Sequence, residues 1–141
     1  MSSIIVTGDS RGLGSKIVKI LLQDKEDTII GISRNGSEQT IDYEEQYPDR
    51  YHHIDFDLSN PKGIQELYKT ELKPRGPIYG LVSNAAMPYD DIVTNADVED
   101  LGQMFEVNVF SPILLTKYVL RDMMLNRTEG SLVHISSVST A

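Results

Sequence analysis

A glycine-rich turn near the amino terminus is the stretch of this sequence best suited to bind an anion. Residues 4–14 read Ile-Ile-Val-Thr-Gly-Asp-Ser-Arg-Gly-Leu-Gly, a short apolar strand that runs into glycines at Gly8, Gly12 and Gly14. Apolar residues at helical spacing follow, so a helix is predicted directly after the turn. Glycines let the backbone approach a ligand closely, and the free N–H groups and positive dipole end of a helix favour a phosphate. A tight turn that binds nothing would carry the same glycines, so both interpretations stay open at this point.

Two better-known phosphate-binding loops do not fit this turn. Its glycine spacing differs from the GxGxxG fingerprint of dinucleotide-binding proteins. A P-loop ends in Gly-Lys-Ser/Thr, whereas Lys16 here follows Ser15 and no Gly-Lys pair lies nearby. The glycine pattern alone therefore does not identify the ligand.

Composition limits the classes of partner. The 141 residues carry a net charge of −8, which would repel nucleic acid and an anionic membrane surface, so neither is expected as a partner. The absence of cysteine excludes a disulfide framework and a thiolate metal site and fits a reducing compartment, so we expect a cytoplasmic protein. The length suits one domain over residues 1–141, and no apolar run reaches membrane-spanning length.

Five apolar runs of strand length alternate with helical patterns. The runs begin at Ile4 and continue over residues 28–33, 51–56, 78–83 and 131–136. This alternation predicts an α/β fold with an open, doubly wound parallel sheet, in which ligands bind at the carboxyl ends of the strands. The residues at or just beyond those ends are Gly8, Ser33, Asn84 and Ser137.

The segments between the strands are mostly helical. Asn60 and Pro61 predict the start of a helix that ends near Leu72, with Asn60 as its cap. Residues 97–125 are predicted to be mostly helical, and residues 37–50 form a peripheral helix or a loop.

Four of these stretches resemble the signature motifs of the short-chain dehydrogenase/reductase family. Thr7-Gly-Asp-Ser-Arg-Gly-Leu-Gly14 is similar to the TGxxxGxG motif, and Ser83-Asn-Ala-Ala86 resembles the NNAG motif after strand 4. Asn108 sits where the family carries its structural and catalytic Asn. Residues 130–137 resemble the strand that ends in the catalytic Ser, which would be Ser137. The resemblance covers nearly the whole chain.

The resemblance implies a Rossmann-type sheet of order 3-2-1-4-5 and hydride transfer between a nicotinamide cofactor and a small-molecule carbonyl or alcohol. It makes Asn108 and Ser137 the catalytic candidates, and no metal is expected. Asp57 and Leu58 resemble the pair that contacts adenine, although Asp57 is equally suited to cap the turn toward Asn60. The residues expected to contact the cofactor are Gly8, Ser10, Arg11, Gly12, Leu13, Gly14, Ser33, Arg34, Asn35, Asp57, Leu58, Asn84, Ala85 and Ala86.

The end of strand 2 indicates which nicotinamide cofactor is preferred. An NAD site carries an acidic side chain there to accept from the ribose hydroxyl, whereas a 2′-phosphate needs positive charge. Here Ser33 takes the place of the acid, and Arg34 beside it could act with Arg11 across the turn. We therefore expect NADP(H) to be preferred over NAD(H), with two solvated surface arginines as the alternative.

The chain departs from the family pattern in its later motifs. Ser83 and Ala86 replace Asn and Gly, and His134 stands where Asn is common. The family's YxxxK pair supplies a Tyr acid/base and a Lys that lowers the pKa of that Tyr, yet no tyrosine in this sequence has Lys four residues later. We expect a cofactor-binding portion, truncated before this pair, that is inactive alone. A non-catalytic dinucleotide-binding or sensor module and one half of a split reductase are the alternatives.

Pro112 lies four residues after Asn108 and can change the backbone conformation there. Because proline lacks an N–H and clashes with the carbonyl four residues earlier, it would free the Asn108 carbonyl and kink a helix there. Alternatively, a helix begins near Ser111 with Pro112 in its first turn.

Residues 113–125 carry a wider apolar stripe than one sheet face covers. The resemblance implies that the corresponding helix meets a partner subunit, and strand 5 should form an exposed edge. A homodimer or higher oligomer through this helix and this edge is therefore predicted.

The histidines indicate no second chemistry. His52 and His53 point to opposite faces of a strand, which disfavours a shared metal, and both are interpreted as packing or surface residues. His134 lies near Ser136 and Ser137, but no GxSxG turn surrounds either serine, which excludes an α/β-hydrolase arrangement.

Overall fold

The computed structural model describes residues 2–24 and 26–137, and these contain the predicted parallel sheet. Its strands are β1 (Ser3–Thr7), β2 (Thr28–Ser33), β3 (Tyr51–Asp55), β4 (Ile78–Ser83) and β5 (Ser131–His134). They lie in the order β3-β2-β1-β4-β5, and every neighbouring pair is parallel. From β1 to β3 the chain adds strands on one side of β1, and β4 and β5 are added on the other side. The strand order therefore reverses between β1 and β4, and a crevice opens at their carboxyl ends. The predicted fold class and strand order are confirmed.

Helical segments connect the strands. The first two are α1 (Gly12–Asp24) and α2 (Glu38–Gln46). Between β3 and β4 the pitch changes along one segment, which consists of a 3₁₀ turn (Pro61–Gly63), α3 (Ile64–Leu67), a π-helical turn (Tyr68–Leu72) and a second 3₁₀ turn (Lys73–Arg75). After β4 come a 3₁₀ turn (Val93–Asn95), α4 (Val98–Phe105), a π-helical turn (Glu106–Phe110) and α5 (Ser111–Leu125).

Two hydrophobic layers cover the two faces of the sheet. Alternation along β1 sends Ile5 to one layer and Ile4 and Val6 to the other. The layer beneath α1 comprises Ile4, Val6, Val18, Leu22, Ile29 and Tyr51. The layer beneath α3 and α5 comprises Ile5, Ile30, Ile32, Leu58, Ile64, Leu67, Leu72, Ile78, Leu81, Leu115, Val119 and Met123. Because β1 and β2 are buried on both faces, their carboxyl ends form a firm base for the loops that follow.

The predicted boundaries are close to the observed ones. β3 ends at Asp55, one residue early, and β5 ends at His134, two residues early. Residues 37–50, for which helix and loop were both open, contain α2. Its cap is Ser37, whose hydroxyl accepts the Thr40 N–H while the Thr40 hydroxyl accepts the Ser37 N–H.

The helix predicted after β3 differs from expectation at both ends. Asn60 precedes it, but its side chain makes no capping hydrogen bond, so the predicted cap is wrong. Pro61 starts the helix instead, since its fixed φ suits a first turn. Beyond Leu72 the chain continues as a 3₁₀ turn to Arg75, and it ends at Gly76, whose φ of 88° is open to glycine.

Helix α5 is apolar on a buried face and on an exposed one. Leu115, Val119 and Met123 are buried, whereas the exposed apolar side chains are Ile113, Leu120, Met124 and Leu125. Within the described residues, β5 pairs with β4 alone and forms one edge of the sheet. In the same part of the chain, no helix has both the length and the hydropathy that crossing a membrane requires.

Candidate functional site

A cleft of about 610 Å³ opens where the order of the sheet reverses, at the carboxyl ends of the strands. Many of the residues predicted to contact a cofactor line it, although they come from four separate strand ends and the loops that follow them. These are Gly8, Ser10, Arg11, Ser33, Arg34, Asn35, Asp57, Leu58, Asn84, Ala85 and Ala86. The strand ends therefore bring the sequence candidates together at one surface.

Further lining residues were not predicted. They are Gly36, Ser37, Phe56, Ser59, Met87, Pro88, Gln103 and Val107. Most of them directly extend a predicted strand-end segment, so longer windows around those ends would have included them. Gln103 and Val107 lie in α4 and in the π-helical turn, far along the chain, and no local pattern indicates them.

The glycine turn is shaped by close backbone contacts. Gly8 and Gly12 have φ of 71° and 59°, a region that side-chain-bearing residues rarely adopt. A Cβ at Gly14 would lie 1.9 Å from the Gly8 carbonyl oxygen, so only glycine lets α1 start this close to the turn. Gly12 and Leu13 are exposed and Gly14 is buried. These three residues shape the turn rather than line the cleft.

Thr7 joins the glycine turn to the turn that follows β4. Its hydroxyl accepts the N–H groups of Asn84 and Ala85, each at 3.0 Å. The Asn84 side chain donates in return to the carbonyls of Thr7, at 3.2 Å, and of Gly8, at 3.4 Å. Asn84 is therefore committed to holding the two turns together, and the threonine was missed as a site residue.

Asn108 holds the same β4 turn from the other side. Its Oδ1 accepts the Met87 N–H and its Nδ2 donates to the Met87 carbonyl, both at 2.8 Å. Within the described residues, neither Asn108 nor Ser137 lines the cleft. Ser137 is exposed and lies three residues beyond β5.

The helix start that was one alternative for Pro112 is present, and an irregular turn precedes it. α5 begins at Ser111 with Pro112 in its first turn. Immediately before it, the Ser111 N–H donates to the Glu106 carbonyl five residues back, which defines the π-helical turn. Such turns interrupt the regular helical ladder and are frequent at functional sites. The interruption contains Asn108.

Two guanidinium groups line the cleft without a protein counter-charge. Arg11 and Arg34 are exposed, and within the described residues neither makes a hydrogen bond or an ion pair. Ser33 donates its hydroxyl hydrogen to the Asn35 carbonyl at 2.9 Å, which shapes the turn that carries Arg34. Uncompensated arginines at a concave surface favour a bound phosphate.

Asp57 acts in the turn after β3. Its Oδ1 accepts the Ser59 N–H at 2.9 Å, so the capping alternative is present, and the residue also lines the cleft. Leu58, which is largely buried, follows it. The Leu58 carbonyl accepts the Ser111 hydroxyl, which ties this turn to the start of α5.

A buried carboxylate lies beneath the glycine turn. Asp9 is completely buried and accepts the Tyr51 hydroxyl at 2.5 Å. His53 Nδ1 lies 2.8 Å from the same Asp9 oxygen, and His53 Nε2 lies 2.9 Å from Asp55 Oδ1. His53 is therefore part of a polar network, and its interpretation as a mere packing or surface residue is wrong.

The network changes the acidity of its members. Burial of the ring disfavours protonation of His53, but the hydrogen bonds and charges of Asp9 and Asp55 outweigh it and raise its pKa. Burial, with the adjacent Asp9 charge, raises the pKa of Tyr51 well above the ordinary range, so this hydroxyl stays a donor.

Comparison with known proteins agrees with this geometry. The family model described as short chain dehydrogenase matches residues 2–141. An uncharacterized oxidoreductase of Saccharomyces cerevisiae is 33% identical over 137 residues, which are 95% of this chain and 52% of the relative. A 3-oxoacyl-[acyl-carrier-protein] reductase of Vibrio cholerae is 31% identical over 136 residues, 95% of this chain and 54% of the relative.

The fold has solved counterparts of the same kind. The crystal structure of a short-chain dehydrogenase from Streptomyces avermitilis matches with a TM-score of 0.86 and 32% identity, covering 96% of this chain and 49% of that one. The chain thus spans about half the length of the curated relatives it matches.

The strand order and the strand-end cleft define a Rossmann-type α/β domain. The chain belongs to the short-chain dehydrogenase family, whose members bind a nicotinamide cofactor. The family predicted from the sequence is confirmed.

Proposed function

We propose that this chain is the cofactor-binding part of an NADP(H)-dependent short-chain oxidoreductase. The observation that carries the preference for NADP(H) is that Arg11 and Arg34 both line the cleft and make no ion pair within the described residues. Ser33 stands where an NAD site would present a carboxylate to the ribose. Both features favour a 2′-phosphate over a free 2′-hydroxyl.

The residues of the cleft fit the remainder of a dinucleotide. The turn of Gly8 and Ser10 offers close backbone approach for the pyrophosphate beside the start of α1. Asp57 and Leu58 would border the adenine, and Ala85 and Ala86 leave room for the nicotinamide half because their side chains are small. NADP(H), when bound, would supply or accept the hydride that a carbonyl or alcohol substrate exchanges.

The proposed catalytic residues have distinct tasks. Ser137 would donate a hydrogen bond to the substrate oxygen. Asn108 would act by position, since its side chain holds the Met87 backbone and its place in a π-helical turn interrupts the helical ladder. The sequence holds no YxxxK pair, so the 141-residue chain should bind the cofactor and turn over no carbonyl, because a positioned proton donor is worth about 10² to 10⁴ in rate.

The arginine pair is tested by calorimetric titration of NADPH into three variants. Each charge-assisted contact contributes about 1.5–3 kcal/mol, so Arg34→Ala and Arg11→Ala should each weaken NADPH binding by roughly tenfold or more. NADH binding should change much less. Arg121→Ala removes an exposed arginine of α5, outside the cleft lining, and should leave both affinities unchanged. Equal losses for NADH and NADPH would contradict the assignment of the arginines to the 2′-phosphate.

We also propose association through the exposed apolar side of α5 and the β5 edge. Four apolar side chains on the helix are exposed, namely Ile113, Leu120, Met124 and Leu125. Light scattering of the wild type should show a dimer or higher oligomer that Leu120→Glu weakens. A wild-type chain that stays monomeric at high concentration would contradict this surface.

A second candidate is a non-catalytic dinucleotide-binding module, or one half of a split reductase. The observation that favours it is the missing YxxxK pair in an otherwise well-formed cofactor site. Reading the gene downstream of Ala141 separates the candidates. Continuation into the pair indicates a longer enzyme, a stop codon indicates a module, and a neighbouring frame that carries the pair indicates a split enzyme.

A further inference from the structure

We propose that Asp9 and His53 form a buried charge pair beneath the glycine turn, which sets the affinity of the turn for the dinucleotide phosphates according to the protonation of His53. The inference rests on the proposed function, because it concerns the same cleft. Both residues would be positioning residues, since neither lines the cleft.

The Asp9 charge lies within the turn that is proposed to bind the phosphates. Asp9 stands between Gly8 and Ser10, and both of these neighbours line the cleft. Its carboxylate is completely buried, and its Oδ1 has no hydrogen-bond partner among the described residues. A buried negative charge directly behind an anion-binding turn opposes binding of a phosphate unless a cation compensates it.

His53 lies where it can compensate the Asp9 charge. His53 Nδ1 lies 2.8 Å from Asp9 Oδ2, and the His53 side chain is only 8% exposed. Glycine at position 31 makes the space, because a Cβ there would lie 1.7 Å from Asp9 Oδ2. Tyr51 fixes the same carboxylate oxygen from below. The four residues therefore depend on one another across two strands and a turn.

Charged and titratable groups face His53 from several elements. The β1–α1 turn presents Asp9, and β3 itself presents Asp55 and Tyr51. Helix α2 presents Glu44, whose carboxylate accepts the backbone N–H of His53, and Tyr43, which packs edge-on against Tyr51. The β2–α2 turn places Gly36 next to the ring, since a Cβ there would lie 3.4 Å from the imidazole Cδ2, and the same turn carries the exposed Arg34.

The surroundings of His53 are thus acidic, and the imidazole is the member that changes charge near neutral pH. When it is protonated, both ring nitrogens donate, one to Asp9 and one to Asp55. When it is neutral, one nitrogen carries a lone pair toward a carboxylate, and the Asp9 charge loses its cation. The carboxylates raise the pKa of His53 despite its burial, which keeps the cationic form further into the neutral range.

The sign of the effect follows. Below the pKa of His53 the pair is neutral overall and permits phosphate binding. As the pH rises through that pKa, Asp9 regains an uncompensated charge and dinucleotide affinity falls. One unit charge acting over about 8 Å at an effective dielectric constant of about 40, between the values for a protein surface and for water, changes Kd by about fivefold.

The experiment is calorimetric titration of NADPH and, separately, NADH from about pH 5.5 to about pH 9, which spans the histidine range. NADH is needed because the 2′-phosphate of NADPH itself titrates at about pH 6 and would add its own pH dependence. The variants are His53→Gln, Asp9→Asn and the double variant. His52→Gln is the matched control, because the neighbouring histidine lies on the other face of β3.

The wild type and His52→Gln should both lose about fivefold in affinity for NADH as the pH rises. His53→Gln should bind NADH weakly and with the same affinity at all these pH values, because glutamine carries no charge to offset Asp9. Asp9→Asn should bind tightly throughout and exceed the wild type at high pH, and it should rescue His53→Gln in the double variant. A purely structural role would instead weaken binding in Asp9→Asn at every pH.

Three outcomes overturn the coupling. One is an NADH profile that is the same in the wild type and in His53→Gln, and another is weaker binding by Asp9→Asn across the whole range. In both cases nucleotide binding itself persists, so the proposed function stands while the coupling fails. Absence of binding by either nucleotide at every pH contradicts the proposed function and the coupling together.

Discussion

Adding a single methyl group at Gly14 should disrupt the glycine turn more than any other glycine-to-alanine change in it. The new Cβ would lie 1.9 Å from the Gly8 carbonyl oxygen and 2.7 Å from the Asn84 side-chain nitrogen. The first contact is with backbone, which cannot rotate away as a flexible side chain can. Helix α1 and the turn would have to separate by roughly 1 Å, which places the cost at the upper end of overpacking, about 3 kcal/mol.

Alanine substitutions at two other glycines serve as controls, because they lack this clash. A Cβ at Gly12 meets nothing within 4 Å, but the residue has a φ of 59°, so Gly12→Ala should cost only the backbone strain of about 1–2 kcal/mol. Gly102 lies inside α4, and its added Cβ would also meet nothing within 4 Å. Gly102→Ala should therefore stabilise the fold by about 0.5–1 kcal/mol.

The assay is urea denaturation of the three variants, with NADPH titration of each under native conditions. Gly14→Ala should lower the unfolding free energy most and should weaken nucleotide binding, because the displaced turn no longer presents its N–H groups to the phosphates. A Gly14→Ala variant within about 0.5 kcal/mol of the wild type, with unchanged NADPH affinity, would refute the close-contact reasoning.

Three further changes test other parts of the structure. Asp122→Ala should cost about 2–4 kcal/mol in urea denaturation, because it leaves the Tyr68 hydroxyl and the Ile78 N–H without their acceptor; a cost below about 1 kcal/mol would contradict this. Asn108→Ala should speed amide hydrogen exchange at Met87 and its neighbours, since both backbone contacts of that residue are lost, and unchanged exchange would argue against a positioning role. The pKa of His53 is raised in the folded state, so the stabilisation of the fold by its pairing with Asp9 is present at low pH. This stabilisation is lost as the pH rises through the folded-state pKa. Denaturation at a series of pH values should show this loss in the wild type and not in the glutamine variant, and equal slopes in both would contradict it.

The parts of the fold that local pattern determines were predictable from sequence. Apolar runs such as residues 28–33 mark strands buried on both faces, and their alternation with helical segments is sufficient for a doubly wound sheet. The cleft was predictable for the same reason, because parallel strands bring their carboxyl ends to one edge. Gly8, Arg34 and Asn84 lie in separate loops, yet each could be placed at that edge from its strand alone.

Contacts between distant segments were not predictable in the same way. Asp9 and His53 are 44 positions apart, and only the register of β3 on β2 and of β2 on β1 brings them together. Alternation along β3 correctly separates His52 from His53, but it does not reveal a carboxylate turned inward from a loop. The signal that was overlooked is Asp9 itself, an acidic residue inside a turn expected to bind anions.

Capping is the other place where local reasoning failed. Asn60 has the residue type and position of a helix cap, yet its side chain makes no capping bond. The preference of Asn for such positions is an average, and Pro61 alone can start a helix whose first turn is 3₁₀. The change of pitch at Glu106–Phe110 has no sequence signal other than Pro112, which fits both a kink and a helix start.

The proposed function requires that the cleft bind a phosphorylated nicotinamide dinucleotide through Arg11 and Arg34, which make no ion pair within the described residues. The most direct measurement is a pair of calorimetric titrations of the wild-type chain, one with NADPH and one with NADH, in the same buffer at the same ionic strength. We expect NADPH to bind at least about tenfold more tightly, since the 2′-phosphate gains charge-assisted contacts. NADH affinity equal to or higher than that of NADPH would contradict it.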